Sequence, residues 1–550
     1  MNKKNFHKII SVFLLFFTVV VPFYSQAHED DDEALERLLN SDSQSNVTGI
    51  IPELQKDFVI IEGIREHDLN PQTTSYADDA QIMTGLYEGL FSYNPRTLEP
   101  VFAIASDFKI SRDKKRWQFT INPNARFSNG DKITAEDVRQ SWLQLLSTPS
   151  APYASLLDVI INAEEFRKGK CVAGDVGIYA LKENELSIYL KEPANYLPKV
   201  LCHSAFSVIH QNPTVFSGPF YLDDYSSGVY ILKKNPFYWD AENTHLEQIT
   251  ILQSDEEDEN AFYYNTGIVD WVSTSLNTNK LLSRDAVQVG AEFATNYLFF
   301  KLQTAKPEGA EAFVWDLPEF RNVIFEIMPW KELRDGYYYP ATTFVYPLSG
   351  YSTVEGFTYT DPIEAKKLMK AAREKYEIPA EYQIPLVLEI NENALSDEKI
   401  NIMKTAFGEV GVELVVIKKP FAAYLQGIPD SMSDMFCYSW IGDFADPLAF
   451  LELFRSDSTL NESGWHNTEF DSLLKQAAEI TSEERYRLLA KAEEILLDSY
   501  MIIPIQHSVS FNIINTDEVG GWVINAFDIH PLKYLYRKER KNTLPNVVLK

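Results

Sequence analysis

Arg126-Phe127-Ser128-Asn129-Gly130-Asp131-Lys132-Ile133-Thr134-Ala135-Glu136-Asp137-Val138, leading on to Trp142, is the stretch on which the reading of this chain turns. Within it Thr134-Ala135-Glu136-Asp137 has the form of a capping box, with Thr134 as N-cap and an acid in the first turn to meet free backbone N–H groups. Behind it Val138, Trp142, Leu145 and Leu146 recur at helical spacing, which predicts an amphipathic helix. Upstream, Trp117-Gln118-Phe119-Thr120-Ile121 alternates at period two, as a half-buried strand does. Further out, Phe58-Val59-Ile60-Ile61 is an apolar run suited to a buried strand and marks the start of ordered structure. Asp361-Pro362-Ile363-Glu364 starts another helix, with Pro362 in the first turn, where its missing N–H costs nothing. A third helix begins near Thr481 and Glu484, with Leu488, Leu489, Ala492, Ile495 and Leu496 on its inner face. Strands and helices intermix without a repeat, which indicates an α/β class.

At 550 residues the chain exceeds the size at which one hydrophobic core stops growing, so two lobes with their own cores are expected. Hydrophobic residues at 45% and aromatics at 13% exclude a disordered protein. The formal net charge of −29, from 79 acidic and 50 basic residues, argues against nucleic-acid binding, which needs cations to neutralise phosphates. Anionic membrane surfaces would repel such a chain too. The acid excess serves solubility; a sharper reading is that its field favours cationic solutes.

The N-terminus reads as an export signal, residues 1–27. Lys3, Lys4 and Lys8 form a basic start, Ile9 to Val21 is nearly all apolar, and Ser25-Gln26-Ala27 supplies small residues for cleavage after Ala27. The apolar run is shorter than the ~20 residues of a spanning helix. No cysteine stands near the cleavage site, so a lipid anchor is not expected. Residues 28–57, opening His28-Glu29-Asp30-Asp31-Asp32-Glu33, read as an acidic flexible linker. The cysteines are Cys171, Cys202 and Cys437; one disulfide can form, Cys171 and Cys202 being the nearer pair, and the spacings are not a zinc pattern.

Motifs that carry catalysis are missing. There is no G-x-S-x-G elbow, no H-E-x-x-H, no Walker loop and no dinucleotide glycine fingerprint. His203 and His210 have a spacing that can share a helix face, but such a pair is more often structural. Asp255-Glu256-Glu257-Asp258-Glu259 lacks the interleaved glycine turn and terminal Glu of a calcium loop. It precedes Ala261-Phe262-Tyr263-Tyr264, so acids at a helix N-terminus are the simpler account.

From about residue 58 to about residue 537 the chain resembles the extracellular solute-binding proteins of the oligopeptide and dipeptide transporter family. Besides the Arg126–Val138 block, the resemblance is carried by Leu69-Asn70-Pro71, Gly85-Leu86-Tyr87-Glu88-Gly89-Leu90, Pro152-Tyr153-Ala154-Ser155, Gly218-Pro219-Phe220 and Lys234-Asn235-Pro236-Phe237-Tyr238-Trp239. Late in the chain stand Trp440-Ile441-Gly442-Asp443-Phe444-Ala445-Asp446-Pro447, Gly520-Gly521-Trp522 and Pro531 through Arg537. The resemblance implies an α/β, two-lobed periplasmic-binding-protein-like fold of class II type with a hinge. Lobe I would span 58–295, with 505–540 returning to it, and lobe II 296–504. The crossovers would fall near Thr295–Lys301 and Ile503–Val509, leaving 541–550 as a C-terminal tail. It further implies a soluble, monomeric, periplasmic component of an ABC importer that binds short peptides and delivers them to permease and ATPase subunits, with no enzymatic activity, cofactor or metal. The same scaffold also carries metal chelates, haem or sugars, or serves a peptide sensor; a secreted hydrolase is the reading from another class.

The resemblance places Asp443 against a ligand's α-amino group, since a desolvated ammonium needs a hydrogen-bonded carboxylate; otherwise it caps a turn. Asp446 reads as a helix cap before Pro447. Trp440 forms an apolar wall for a ligand side chain or packs in the core, and Phe444 of the same motif joins the ligand-binding set. Tyr153 offers its hydroxyl to a ligand carbonyl, and Tyr76 follows a loop whose counterpart touches ligand backbone in relatives. The Tyr337-Tyr338-Tyr339 run reads as strand or lobe surface, or as a further ligand contact. The chain departs from the family at Phe299-Phe300-Lys301, where an asparagine is common. It departs again at Phe325-Glu326-Ile327-Met328-Pro329-Trp330, in place of an Ala-rich helix, and at Gln506-His507-Ser508, where aromatics are frequent.

Overall fold

The computed structural model describes residues 58–538 except 75, 150, 304–312, 349, 353, 443, 445 and 481–482. The export signal, the acidic linker, the C-terminal tail and Asp443 therefore lie outside the described residues.

An eleven-stranded mixed sheet carries the fold. Its path runs Val412–Lys419, Ile384–Asn391, Met435–Ile441, Val287–Phe300, Ile502–Ile514, Trp271–Val272, Phe58–Glu62, Gln248–Gln253, Val229–Lys234 and Phe220–Ser226, with the short Tyr339–Pro340 strand paired beside Ile502–Ile514. Phe58–Glu62 is buried at every residue and runs parallel to both neighbours, as an apolar run covered on both faces must.

A separate four-stranded antiparallel sheet is built from Ala105–Ile110, Arg116–Ile121, Glu185–Tyr189 and Ile178–Lys182. Burial alternates strictly along Arg116–Ile121, as its sequence predicts. The helix Ala135–Ser147 packs on this sheet through Val138, Trp142, Leu145 and Leu146. Its capping box forms in full: the Thr134 side chain accepts from the Asp137 N–H at 3.3 Å, and the Asp137 carboxylate accepts from the Thr134 N–H at 2.8 Å. Ahead of the box, Gly130 takes φ +91°, a conformation only glycine adopts without strain, and the Phe237 ring lies against it.

The other predicted helices also form. Asp361 accepts from the Ile363 and Glu364 N–H groups, both at 3.0 Å, at the start of Pro362–Lys375. The helix Glu483–Asp498 buries Leu489, Ala492 and Leu496 as expected, but Leu488 and Ile495 are only half-buried. Arg485 and Glu493 occupy the buried face instead. The Glu493 carboxylate accepts from the Phe344 and Val345 N–H groups and the Tyr351 hydroxyl, each at 2.8 Å, and burial pushes it up to about 7. A helical wheel drawn for apolar residues cannot find such positions, because a buried acid is tolerated only where its partners come from elsewhere in the chain.

The buried apolar residues fall into two clusters. One apolar cluster joins Phe58, Ile249, Trp271, Ile514 and Leu535. The other runs continuously from the four-stranded sheet into residues 293–505. All three cysteines are free thiols, so the possible Cys171–Cys202 disulfide is not formed. His203 and His210 share no helix. Burial pushes His203 down to about 3, which keeps it neutral. The acids Glu257, Asp258 and Glu259 sit in the first turn of Glu257–Asn265, where the helix dipole favours them.

Replacing Thr134 by Ala removes one half of the capping box. It should cost about 1 kcal/mol of unfolding free energy in urea denaturation, with the denaturant slope unchanged.

Candidate functional site

The two longest strands, Val287–Phe300 and Ile502–Ile514, pair antiparallel along both halves of the large sheet. Their register breaks between Ala291 and Thr295: Ala291 faces Val509 and Thr295 faces His507, so Glu292, Phe293 and Ala294 oppose Ser508 alone. The extra residues find partners outside the pair. The Phe293 N–H donates to Ala526 O at 2.7 Å, and Phe293 O accepts from the Gly442 N–H at 2.8 Å. A Cβ on Gly442 would lie 2.4 Å from the Phe293 ring, so this glycine of the Trp440–Pro447 motif lets backbone meet ring.

Beyond the break, one face of the sheet is aromatic. Tyr297 pairs with Tyr438, Phe299 with Phe436 and Thr295 with Trp440. Directly opposed residues, and residues two apart on one strand, share a face. Tyr297, Phe299, Phe436, Tyr438 and Trp440 therefore form one surface, with Tyr297–Tyr438 centroids 6.2 Å apart, Phe299–Tyr438 6.0 Å and Tyr438–Trp440 6.5 Å. A cavity of about 60 Å³ opens against it, bordered also by Phe454, Glu462 and, from the other half of the chain, Pro152. Trp440 is 5% exposed and its Nε1–H already donates to Ala449 O at 2.8 Å, so it offers the cavity only its apolar ring.

The Pro152–Ser155 segment meets residues 452–459 through Pro152 and Ser155. Thr459 Oγ1 donates to Pro152 O at 2.6 Å, Ser155 Oγ donates to Glu452 Oε1 at 3.2 Å, and the Arg455 guanidinium reaches Ser155 O at 3.4 Å. Arg455 in turn holds Glu452 at 2.8 Å. Burial pulls the Arg455 guanidinium down, but the charges of Glu452, Asp457 and Asp158 hold it above its ordinary value. Tyr153 itself is 2% exposed, its ring 4.1 Å from His203, and Phe444 is likewise buried. The helix Leu448–Leu451 takes Pro447, not Asp446, as its N-cap; Asp446 accepts from the Leu448 N–H at 3.0 Å and forms a buried ion pair with Arg485. The carboxylates of Asp158, Glu164 and Asp457 lie close together, but each has its own cation: Arg167, Lys168 and Arg455 respectively.

Tyr76 comes from the opposite half to the aromatic face. It precedes the helix Ala77–Leu86, with its ring 6.0 Å from Phe421 and the Arg65 guanidinium 4.6 Å over it. Its loop is anchored by buried charge. His67 Nδ1 lies 2.6 Å from Asp79, its Nε2 meets Glu62, Arg65 pairs with Asp79 at 3.0 Å, and the Thr74 hydroxyl donates to Asp79. Burial alone would lower His67, but hydrogen bonds to Asp79 and Glu62 raise it to about 9, so it is a cation at neutral pH.

The departures from the family pattern also have local accounts. Lys301 donates to the Ile428, Pro429 and Ser431 carbonyls. His507 Nδ1 lies 2.9 Å from Thr295 Oγ1, and burial pushes it down to about 4. Tyr338 and Tyr339 are exposed.

Residues 99–462 match the model of the bacterial extracellular solute-binding proteins, family 5, in its middle region. This chain belongs to that family. It is 25% identical over 486 residues to the dipeptide-binding protein DppE of Bacillus subtilis, covering 83% of this chain and 86% of that one. Among solved structures, the murein tripeptide binding protein MppA of Escherichia coli superposes with a TM-score of 0.75 at 23% identity, covering 87% of this chain and 98% of that one; its unliganded open form gives 0.60. Haemophilus influenzae OppA in complex with RPPGFSPFR gives 0.74 at 21% identity, with the same coverages. The α/β fold of this family 5 protein is thus the two-lobed one of these proteins, as the resemblance implies. Among the described residues no helix is long and apolar enough to cross a membrane.

The aromatic face was open to sequence reading. Tyr297-x-Phe299 and Phe436-x-Tyr438-x-Trp440 each repeat at period two, the signal of one strand face. Ser155, Glu452, Arg455 and Glu462 carried no such signal, because their meeting depends on segments some 300 residues apart.

The raised His67 sets a pH dependence. Its contribution to stability is complete below its ordinary value of 6.5 and is lost as pH rises through about 9. In urea unfolding, the native protein should lose of order 3 kcal/mol more than a His67→Gln variant between about pH 6 and about pH 9.5.

Proposed function

We propose that this protein is the periplasmic solute-binding component of an ABC importer, capturing short peptides between its two lobes and passing them unchanged to a membrane permease with its ATPase subunits. The observation that carries this reading is the aromatic-walled cavity, bordered by residues of both halves, at the seam beside the register break. A peptide enclosed between the lobes beside it loses its water, so each hydrogen bond to it strengthens in the lower dielectric. Backbone pairing to an extended ligand needs no particular side chains, while cavities of modest size select among them. On this reading lobe I spans 58–295 with 505–540 returning, lobe II spans 296–504, and the break opposite Ser508 is the hinge. The dipeptide-binding and murein tripeptide binding relatives, and OppA in complex with RPPGFSPFR, support the ligand class.

Within the site, Asp443 takes the ligand's α-ammonium. Trp440 contributes an apolar wall, and Tyr76 closes on the ligand from the facing lobe. Tyr153 and Phe444, assigned to the ligand by resemblance, act from the core by fixing their loops. The protein performs no chemistry on its cargo.

Denaturing the purified protein and analysing the released solutes by mass spectrometry should yield short peptides with intact termini. Recovery of a metal chelate, a haem or a sugar without peptides would overturn the ligand class. Asp443→Asn should weaken a free-amine peptide about tenfold or more by calorimetry, since its ammonium would face a neutral partner, and should leave the N-acetylated peptide unaffected. Unchanged affinity would remove Asp443 from the site.

A further inference from the structure

One acid on the cavity wall has no structural employment. Glu462 is half-buried at the edge of the aromatic face, yet its carboxylate makes no hydrogen bond and no ion pair with any described residue. Buried acids elsewhere in residues 296–504 differ: Glu452 is held by Arg455, and Glu389 by Lys419, Ser431 and Ser433. Lys301 is the cation whose charge reaches Glu462, but its ammonium is already given to three backbone carbonyls of residues 428–431. Glu462 acts on the Tyr438 and Tyr297 phenols only through its charge.

A desolvated carboxylate without a partner is costly, and proteins keep one where something charged arrives to meet it. The walls here suit one kind of arrival. Tyr297, Phe299, Tyr438 and Trp440 line the cavity with aromatic rings, whose negative quadrupoles attract a cation. An aliphatic stem can lie along the same rings while its charged end reaches the acid. At about 60 Å³ the cavity is far below the ~300 Å³ or more of a whole ligand site, so it takes one group rather than a molecule. The net charge of −29 adds a field of the same sign.

We infer that the cavity between Tyr297, Tyr438, Trp440 and Glu462 is a specificity subsite for a cationic side chain, lysine or arginine, of the captured peptide. This rests on the peptide-capture reading and adds a preference to it. Glu462 supplies the counter-charge, and the aromatic face supplies the walls that hold the stem.

The test uses calorimetry with the full-length mature protein, stripped of co-purified solute, and a tri-alanine and a penta-alanine host. Each host position is replaced in turn by lysine and by norleucine, which keeps the stem and removes the charge. At one position lysine should bind at least tenfold more tightly than norleucine. In Glu462→Gln, checked for an unchanged melting temperature, that preference should fall below about threefold, while the all-alanine hosts change less than twofold. Absence of a lysine preference at every position overturns the inference, as does a preference that survives in Glu462→Gln. If Glu462→Gln weakens the all-alanine hosts as much as the lysine peptides, and N-acetylation of the hosts abolishes that effect, the carboxylate reads the α-ammonium and the side-chain assignment is wrong. Failure of the native protein to bind any of these peptides would instead bring down the peptide-capture reading, and the inference with it.

Discussion

Two long strands paired in the middle of the large sheet impose the constraint on which the rest depends. Val287–Phe300 and Ile502–Ile514 pair along most of their length, but the ladder breaks where three residues face one, and its register shifts again between Asn296 and Tyr297. A regular ladder through this point would lock the halves into a single stiff sheet. The bulge interrupts the ladder and increases local twist, and it sends the backbone groups of Phe293 to Ala526 and Gly442. Two elements that bear on the site, the start of the aromatic face and the Trp440–Pro447 motif, are therefore tied to the same three residues. Gly442 is required there because the Phe293 ring fills the place of a Cβ.

Around this axis the molecule uses buried charge to hold the loops that must meet. His67 lies between two acids and keeps the Tyr76 loop in place. Glu452 and Arg455 reach across to Ser155, and Asp446 is paired with Arg485. Each such group costs desolvation and returns little net stability, but a misplaced loop would leave a charge unpaired in the interior. Apolar packing tolerates a sliding fit far better. Glu462 stands out against this pattern because the described residues leave it unmatched.

Much of the fold was legible before any coordinates. The capping box at Thr134, the alternation at Trp117–Ile121, the buried run at Phe58–Ile61 and the Asp361-Pro362 helix start all depend on residues within a few positions of one another, and all formed. The helix Glu483–Asp498 shows where local reading stops. Its apolar stripe was found, but Arg485 and Glu493 lie on the buried face because Asp446 and the backbone of residues 344–345 come from elsewhere to satisfy them. The merging of the four-stranded sheet's core with that of residues 293–505 was equally invisible, since periodicity reports which face is buried and never against what.

For the site, the sequence by itself determined the class of fold, the solute-binding family and the period-two aromatic strands, because these follow from local patterns and ordered motifs. Tertiary structure alone decided that Tyr153 and Phe444 are buried, that Ser155 meets Glu452, and that Glu462 shares a cavity with Tyr297 and Trp440. The physical reason is one of range. Backbone pairing and capping act between neighbours in the chain, whereas a binding cleft is made where segments hundreds of residues apart are brought together by burial, and no short window of residues contains that information.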